Sequence, residues 1–189
     1  MAFLSDPAFV AASTRSKFEE IEDPEGTADI IGLSAVIVQD LTAKRGKDYS
    51  FEWERVTSFE GDTGPYLQYA HARLFSIEEK ALAQNGWKIE AGFAPDYALI
   101  QDESCRVLAY QVGRFPFVIY TAYQQLEASS VVNYLFDLCH AVSSAHVTLN
   151  VLKAESEAEG KARLAVFHAA RLVVAAGLQM LGLRPLHKM

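Results

Sequence analysis

Apolar residues recur every three or four positions through most of this chain, which is the spacing of one face of an α-helix. The first such stripe follows Asp23-Pro24-Glu25, where a capping carboxylate, a proline in the first turn and a second acid favour helix initiation. Comparable stripes between Gly, Pro, Asn and Ser punctuation predict five further helices. The predicted helices span residues 24–45, 65–84, 99–112, 115–127 and 130–149, and a last one follows the capping box Ser156–Glu159 and ends at Gly182.

One short stretch departs from helical spacing. Tyr49, Phe51 and Trp53 alternate with polar residues, but a single stretch of this kind is too isolated to build a sheet. We therefore expect an extended segment packed on helices. The predicted fold class is all-α, an antiparallel helical bundle preceded by a helix and this extended segment.

The strongest punctuation lies in the turn-forming run from Glu60 to Pro65. It delivers Pro65 to the first turn of the next helix, with Asp62 or Thr63 as the capping residue. We place a domain boundary here, which predicts an N-terminal part over residues 1–64 and a second domain over residues 65–189.

Composition fits a folded domain with a core: the chain has 189 residues, 50% of them hydrophobic and 22% charged. The most apolar region, residues 164–183, contains His168, Arg171 and Gln179, so it predicts a buried or half-buried helix and no membrane span. Residues 1–15 lack the basic start and unbroken apolar stretch of a signal peptide, which favours a cytosolic protein.

The two cysteines, Cys105 and Cys139, are far apart, and neither has a histidine or cysteine at metal-ligand spacing. We expect both to be reduced thiols in the core and predict no metal site. The formal net charge of −7 has the wrong sign for nucleic-acid binding through bulk electrostatics. Any RNA site must therefore be local.

One local pattern has the chemistry for such a site. Tyr66, Tyr69, Arg73, Ser76 and Lys80 would lie along one face of the helix predicted over 65–84. Phenol rings can stack on unpaired bases, and the cations can contact phosphates. The alternative is that both tyrosines pack at a helix interface with their hydroxyl groups toward solvent.

Other candidate chemistry is weaker. Asp62-Thr63-Gly64 matches the signature of aspartic proteases, which requires surrounding β-strands and a second carboxylate, and we find no candidate for that carboxylate. The five histidines show no paired ligand spacing, and no glycine-rich loop suits a phosphate. We predict no catalytic, cofactor-binding or metal-binding residue in this chain.

The stretch Ser58–Arg73 resembles, nearly letter for letter, the motif that opens the anticodon-binding domain of arginyl-tRNA synthetases of the eukaryotic, fungal-like cytosolic kind. Three other stretches agree with the same family in the same order, and the resemblance covers about residues 17–189. The agreeing stretches are Glu22–Asp40, Ser130–Phe136 and Ala169–Pro185.

The resemblance implies a fold and a set of site residues. The family's domain is a helical bundle called the DALR domain, which would occupy residues 65–189, and residues 1–64 would be an unmatched N-terminus followed by the end of the catalytic domain. By resemblance, Tyr66, Tyr69, Arg73 and the terminal Met189 would contact the anticodon loop. Fungal relatives carry two more aromatic platforms, and the aligned residues here are His146 and Asn150. Histidine can still stack, but asparagine gives up most of the aromatic face, so weaker anticodon affinity or discrimination is expected.

The family's full-length enzymes use ATP and magnesium, but their two ATP-site signatures occur nowhere in this sequence. We therefore expect a monomeric chain that binds an arginine tRNA, lacks a cofactor of its own, and is inactive without a catalytic domain. The alternative is a decayed or repurposed helical module that binds protein or nothing, for which the acidic charge and Asn150 argue.

Overall fold

The computed structural model describes residue 21 and residues 23–189. That part of the chain contains six α-helices, two 3-10 turns and no β-strand, so the all-α prediction is confirmed. Helices α1 to α6 span Pro24–Thr42, Trp53–Val56, Gly64–Asn85, Glu103–Gln125, Ser129–Thr148 and Glu157–Met180, and the 3-10 turns span Tyr97–Leu99 and Val151–Lys153.

Helices α3 and α6 begin with the capping chemistry that the sequence indicated, whereas α5 begins after Ala128 without the serine cap expected from Ser129-Ser130. At α3 the cap is Thr63 and not Asp62, and its hydroxyl accepts the Tyr66 N–H at 3.2 Å. At α6 the Ser156 hydroxyl accepts the Glu159 N–H at 3.2 Å. The Glu159 carboxylate accepts from the residue before the cap, at 2.9 Å, so this capping box is displaced by one position.

The two helices predicted over 99–112 and 115–127 are wrong, because they form one helix, α4. Pro116 lies inside it, although proline removes a backbone donor and ordinarily breaks a helix. Packing on α5 overrides that preference: the Tyr134 hydroxyl donates to the Gln111 carbonyl oxygen at 2.7 Å, one turn before the proline. Tertiary contacts thus hold together a helix that local sequence would divide.

The predicted packing of the aromatic stretch is also wrong. The side chains of Phe51 and Trp53 are 39% and 67% exposed, and Trp53 begins the one-turn helix α2. Their rings contact each other edge to face, with centroids 4.9 Å apart. The Tyr49 hydroxyl donates to the Asp40 carboxylate at 2.8 Å. Phe51 and Trp53 thus contact each other and Tyr49 contacts α1, and all three rings leave much of their apolar surface exposed.

Helices α5 and α6 form the centre of the bundle. Both pack against α3 on one side and against α4 on the other, and α1 packs on α3 and α5. Helices α4 and α5 are antiparallel, since the hydroxyls of Ser104 at the start of α4 and Thr148 at the end of α5 are 2.6 Å apart. The fully buried residues of the centre include Leu67, Leu74, Leu135, Leu138, Leu164, Phe167 and Leu178.

The division at residue 64 stays a prediction. Val38 of α1 belongs to the same hydrophobic core as Leu67 and Leu74 of α3, so residues on both sides of the predicted boundary share one core. The two cysteines lie where the sequence placed them: Cys105 and Cys139 are buried and free. Burial raises the pKa of the Cys139 thiol to about 12, which keeps it protonated.

The prediction that residues 164–183 form a buried or half-buried helix is confirmed up to Met180, where α6 ends. By length and composition alone, α6 could cross a membrane, and it is the one helix of the described residues that meets that test. However, Leu164, Phe167, Val174 and Leu178 are all buried against the other helices. We conclude that α6 owes its apolar composition to its place in the bundle.

Candidate RNA interface

Helix α3 carries the predicted tyrosine and cation face. Its N-terminal cap, Thr63, fixes the first turn, and the helical repeat then places Tyr66, Tyr69 and Arg73 on one side. The Tyr69 side chain is 45% exposed, whereas Tyr66 and Arg73 are half-buried. The ring of Tyr69 is therefore the one most open to a stacking partner.

The Tyr66 ring is packed at a helix interface, as the alternative interpretation proposed. Its hydroxyl oxygen lies 3.4 Å from that of Ser143, and its ring centroid lies 5.8 Å from that of His140. His140 in turn pairs with Asp62, with Nε2 and Oδ1 3.0 Å apart. Burial raises the pKa of Tyr66, so its hydroxyl stays neutral. Both tyrosines can offer RNA part of a ring, and the ring of Tyr69 is the more exposed of the two.

His146, on α5, comes close to the same face. Its ring meets Phe167 edge to face, with centroids 6.2 Å apart, and it is half-buried. Burial is the main cause that lowers the pKa of His146, and the positive charges of Arg73 and Lys80 lower it further. The imidazole is therefore neutral at neutral pH and stands beside two cations that can bind phosphate.

Asn150 caps a 3-10 turn, which the sequence did not indicate. Its side-chain oxygen accepts the N–H groups of Leu152 and Lys153 at 3.1 and 3.2 Å, and so caps a 3-10 turn. Its own carbonyl oxygen accepts from the guanidinium of Arg163 at 2.7 Å. The residue is exposed, but it offers no ring, and its contact with RNA stays a prediction.

Met189 lies at the end of a tail that runs along α3. His187 stacks on Phe75 with ring centroids 4.3 Å apart, and Lys188 comes within 3.9 Å of Glu79. These contacts place the end of the chain beside the second half of α3, which also carries Lys80. By the helical repeat, Phe75 and Glu79 lie on a different side of α3 from Tyr66, Tyr69 and Arg73, so the place of Met189 at that face stays a prediction. Asn150 lies in the loop that follows α5.

The buried histidine beneath the tail, His71, predicts a pH dependence of stability. Burial lowers its pKa from 6.5, and the charges of Arg171 and His187 lower it further, while its hydrogen bond to Leu186 and the charge of Glu78 oppose them. At pH values between the folded-state pKa and 6.5, His71 binds more protons in the unfolded chain than in the folded one. The contribution of His71 to stability is therefore complete above pH 6.5 and declines as the pH falls below it.

The urea concentration at the unfolding midpoint of the unmodified protein should therefore be lower at about pH 5.5 than at about pH 7.5. His71→Gln should reduce that decrease, because glutamine does not titrate. An unchanged pH dependence in this variant would contradict the assignment.

Charge is distributed unevenly along the chain, so the net charge of the whole chain does not describe the part that carries the candidate interface. Residues 1–62 contain 13 acidic and six basic side chains, whereas residues 63–189 contain eleven of each. The whole net charge of −7 thus belongs to the first 62 residues. From residue 160 onward there are five Lys or Arg residues and no acid. The part that carries the candidate interface does not repel RNA by its net charge.

No catalytic constellation accompanies this face in the described residues. Asp62 is exposed and paired with His140, which is not the carboxylate pair that an aspartic protease needs. Among residues 21 and 23–189, no group of three His, Cys, Asp or Glu side chains could hold a metal ion.

Comparison with known proteins gives the class of this domain. Residues 67–189 match the DALR anticodon binding domain. A probable cytoplasmic arginine–tRNA ligase of Dictyostelium discoideum is 46% identical over 180 residues, which are 95% of this chain and 29% of that relative. The cytoplasmic arginine–tRNA ligase of Saccharomyces cerevisiae is 43% identical over the same shares. This chain therefore spans less than a third of the length of these relatives.

Solved structures agree with the sequence comparison. The arginyl-tRNA synthetase of Thermus thermophilus superposes with a TM-score of 0.80 at 28% identity, over 96% of this chain and 30% of that one. The family match over residues 67–189 and the helical fold thus define an anticodon-binding domain, and the chain belongs to the DALR family. Its relatives within that family are arginyl-tRNA synthetases, as the motif Ser58–Arg73 indicated, and they include cytoplasmic enzymes of a slime mould and two yeasts.

Proposed function

We propose that this chain is the anticodon-recognition part of a cytoplasmic arginyl-tRNA synthetase and binds the anticodon loop of an arginine tRNA as a monomer. The observation that carries the proposal is the exposed ring of Tyr69 beside the guanidinium of Arg73, within the motif Ser58–Arg73. The arginine site, and the ATP and magnesium that the family uses, belong to the part of the protein that joins arginine to the tRNA. We expect the isolated chain to form no arginyl-tRNA.

The residues of the interface support a particular mode of binding. Tyr69 stacks on an unpaired base, for which about 1–3 kcal/mol is typical, and Tyr66 and His146 add partial ring surfaces. Arg73 and Lys80 contact phosphates of the loop. Two phosphate contacts on single-stranded RNA give a shallow salt dependence, with a slope of about −1.4 in log K against log salt. Specificity then arises from the bases, because the overall charge of the domain supplies little attraction.

Binding of tRNA transcripts to the isolated chain tests the proposal. An arginine tRNA should bind more tightly than an unrelated tRNA of the same length, and the shallow salt slope should appear in the same titrations. Equal affinity for both transcripts, or a steep slope common to both, would show nonspecific attraction and contradict the proposal.

His146→Tyr should strengthen binding. A phenol ring at this position presents a larger stacking surface than the half-buried imidazole, beside the same two cations. We expect a gain of about threefold to tenfold in affinity for arginine tRNA. Phe at the same position is the matched variant without a hydroxyl, and it should give a similar gain. A loss of affinity in both variants would mean that the imidazole makes a specific hydrogen bond with RNA.

The alternative, a repurposed module without a role in tRNA recognition, loses one of its two arguments. The acidic charge lies in residues 1–62, and residues 63–189, which carry the candidate interface, have no net charge. Asn150 remains as the argument in its favour, since its side chain caps a turn and has no ring.

A further inference from the structure

Two polar residues of α3, Gln68 and His71, are fully buried next to the apolar stripe of this helix. Buried polar groups cost free energy unless they are paired, so the partners indicate what such residues do. The Gln68 amide nitrogen donates to the Ser34 hydroxyl at 2.9 Å and to the Arg184 carbonyl oxygen at 3.0 Å. Its amide oxygen accepts the Leu186 N–H at 2.9 Å.

The Gln68 carboxamide therefore pairs with the tail as one residue of a neighbouring β-strand would. It donates to a carbonyl and accepts from the N–H two residues later, which fixes the register of the tail. A shift of the tail by one residue would remove both hydrogen bonds and leave the buried carboxamide unpaired.

His71 holds the same residue of the tail from a second direction. Its Nδ1 lies 2.6 Å from the Leu186 carbonyl oxygen, and since a carbonyl only accepts, Nδ1 carries the proton. Both backbone groups of Leu186 are thus bound by α3 side chains. Beyond it, the stack of His187 on Phe75 continues the contact toward the end of the chain.

We propose that Gln68 and His71 are positioning residues that clamp the C-terminal tail to α3 and thereby set the place of Met189 at the RNA interface. Met189 follows Leu186 by three residues, so it lies within about 11 Å of the clamp along the chain. Helix α3 would then bind RNA through Tyr69 and hold the tail through the adjacent Gln68. The role of Met189 at RNA rests on the proposed function, whereas the clamp itself does not.

Two measurements on the same variants test the two parts separately. Gln68→Met preserves the length of the side chain and removes its hydrogen bonds, and truncation before Met189 leaves the clamp intact. The first measurement is native-state hydrogen exchange without RNA. Gln68→Met should accelerate exchange of the Leu186 amide at least about tenfold and leave the amides of α5 unchanged, since local opening affects only the released segment. Unchanged Leu186 exchange would overturn the clamp.

The second measurement is affinity for arginine tRNA. Gln68→Met and the truncation should each weaken binding about threefold to tenfold. Combining them should add little to either loss, because both act through Met189. Additive losses, or faster Leu186 exchange with unchanged affinity, would overturn the positioning role.

If Gln68→Met fails to fold, His71→Gln probes the same clamp from its second contact with the same two readouts. If the unmodified chain shows no preference for arginine tRNA, the proposed function fails, and the exchange experiment still decides the clamp.

Discussion

Tyr69→Ala should weaken the binding of arginine tRNA by about 5-fold to 150-fold, which corresponds to the loss of one stacking contact of about 1–3 kcal/mol. The ring is 45% exposed and no hydrogen bond engages its hydroxyl within the described structure, so its removal leaves the bundle intact. Circular dichroism and urea unfolding should be nearly unchanged. Isothermal titration or fluorescence anisotropy with a labelled transcript would measure the loss.

Tyr120→Ala is the matched control for this prediction. Tyr120 is 62% exposed on α4, which lies on the other side of α5 and α6 from α3. Replacing it removes an exposed phenol ring from a helix that lies outside the candidate RNA interface. Affinity should stay within a factor of about two. An equal loss in both variants would mean that exposed tyrosines bind RNA without a defined site.

Gly64→Ala should destabilise the fold by about 3 kcal/mol, near the upper end for an overpacked site. A Cβ at Gly64 would lie 1.9 Å from the Ser34 carbonyl oxygen, so α1 and α3 could not keep their present separation. The obstacle is backbone, which cannot rotate away as a side chain could. The midpoint of urea unfolding measures the effect.

Gly32→Ala provides the control on the facing helix. Gly32 lies inside α1, and a Cβ there would meet nothing within 4 Å. The substitution should stabilise the protein by up to about 1 kcal/mol, because alanine is the better helix former. Similar destabilisation in both variants would show that the contact between α1 and α3 at Gly64 is not the cause of the effect of Gly64→Ala.

Helical spacing predicted the existence of most helices, and it failed where tertiary contacts outweighed local preference. Pro116 predicted a break, but Tyr134 packs across that region and donates to Gln111, and the helix continues. The exposure of Phe51 and Trp53 could not be foreseen, since the burial of an isolated aromatic stretch depends on which surfaces lie near it.

The candidate site was predictable in part. Spacing placed Tyr66, Tyr69 and Arg73 on one face, but it could not show that Tyr66 packs beside His140 while Tyr69 stays open. Met189 was predicted only from the family resemblance, because no periodic pattern connects a chain end to a helix.

The clamp was missed, although the sequence contained its signal. Gln68 and His71 are polar residues that lie next to the apolar stripe of α3, and a buried polar group needs a partner. Their partners are backbone groups of Arg184 and Leu186, more than 110 residues away in sequence. Neither local spacing nor composition identifies such partners.

The net charge of the whole chain is a poor guide to RNA binding, because the charge is unevenly distributed along the chain. The net charge of −7 suggested a poor RNA-binding protein, but residues 63–189 have equal numbers of acidic and basic side chains. Neutral surroundings with a few cations beside open rings favour recognition of bases over general attraction to phosphate.

The most direct measurement of the central claim is a titration of this chain with a short RNA stem-loop that carries the anticodon loop of an arginine tRNA. The account predicts saturable binding that Tyr69→Ala weakens, together with much weaker binding of the same stem carrying the loop of an unrelated tRNA. Equal binding of both stem-loops, unaffected by Tyr69→Ala, would contradict it.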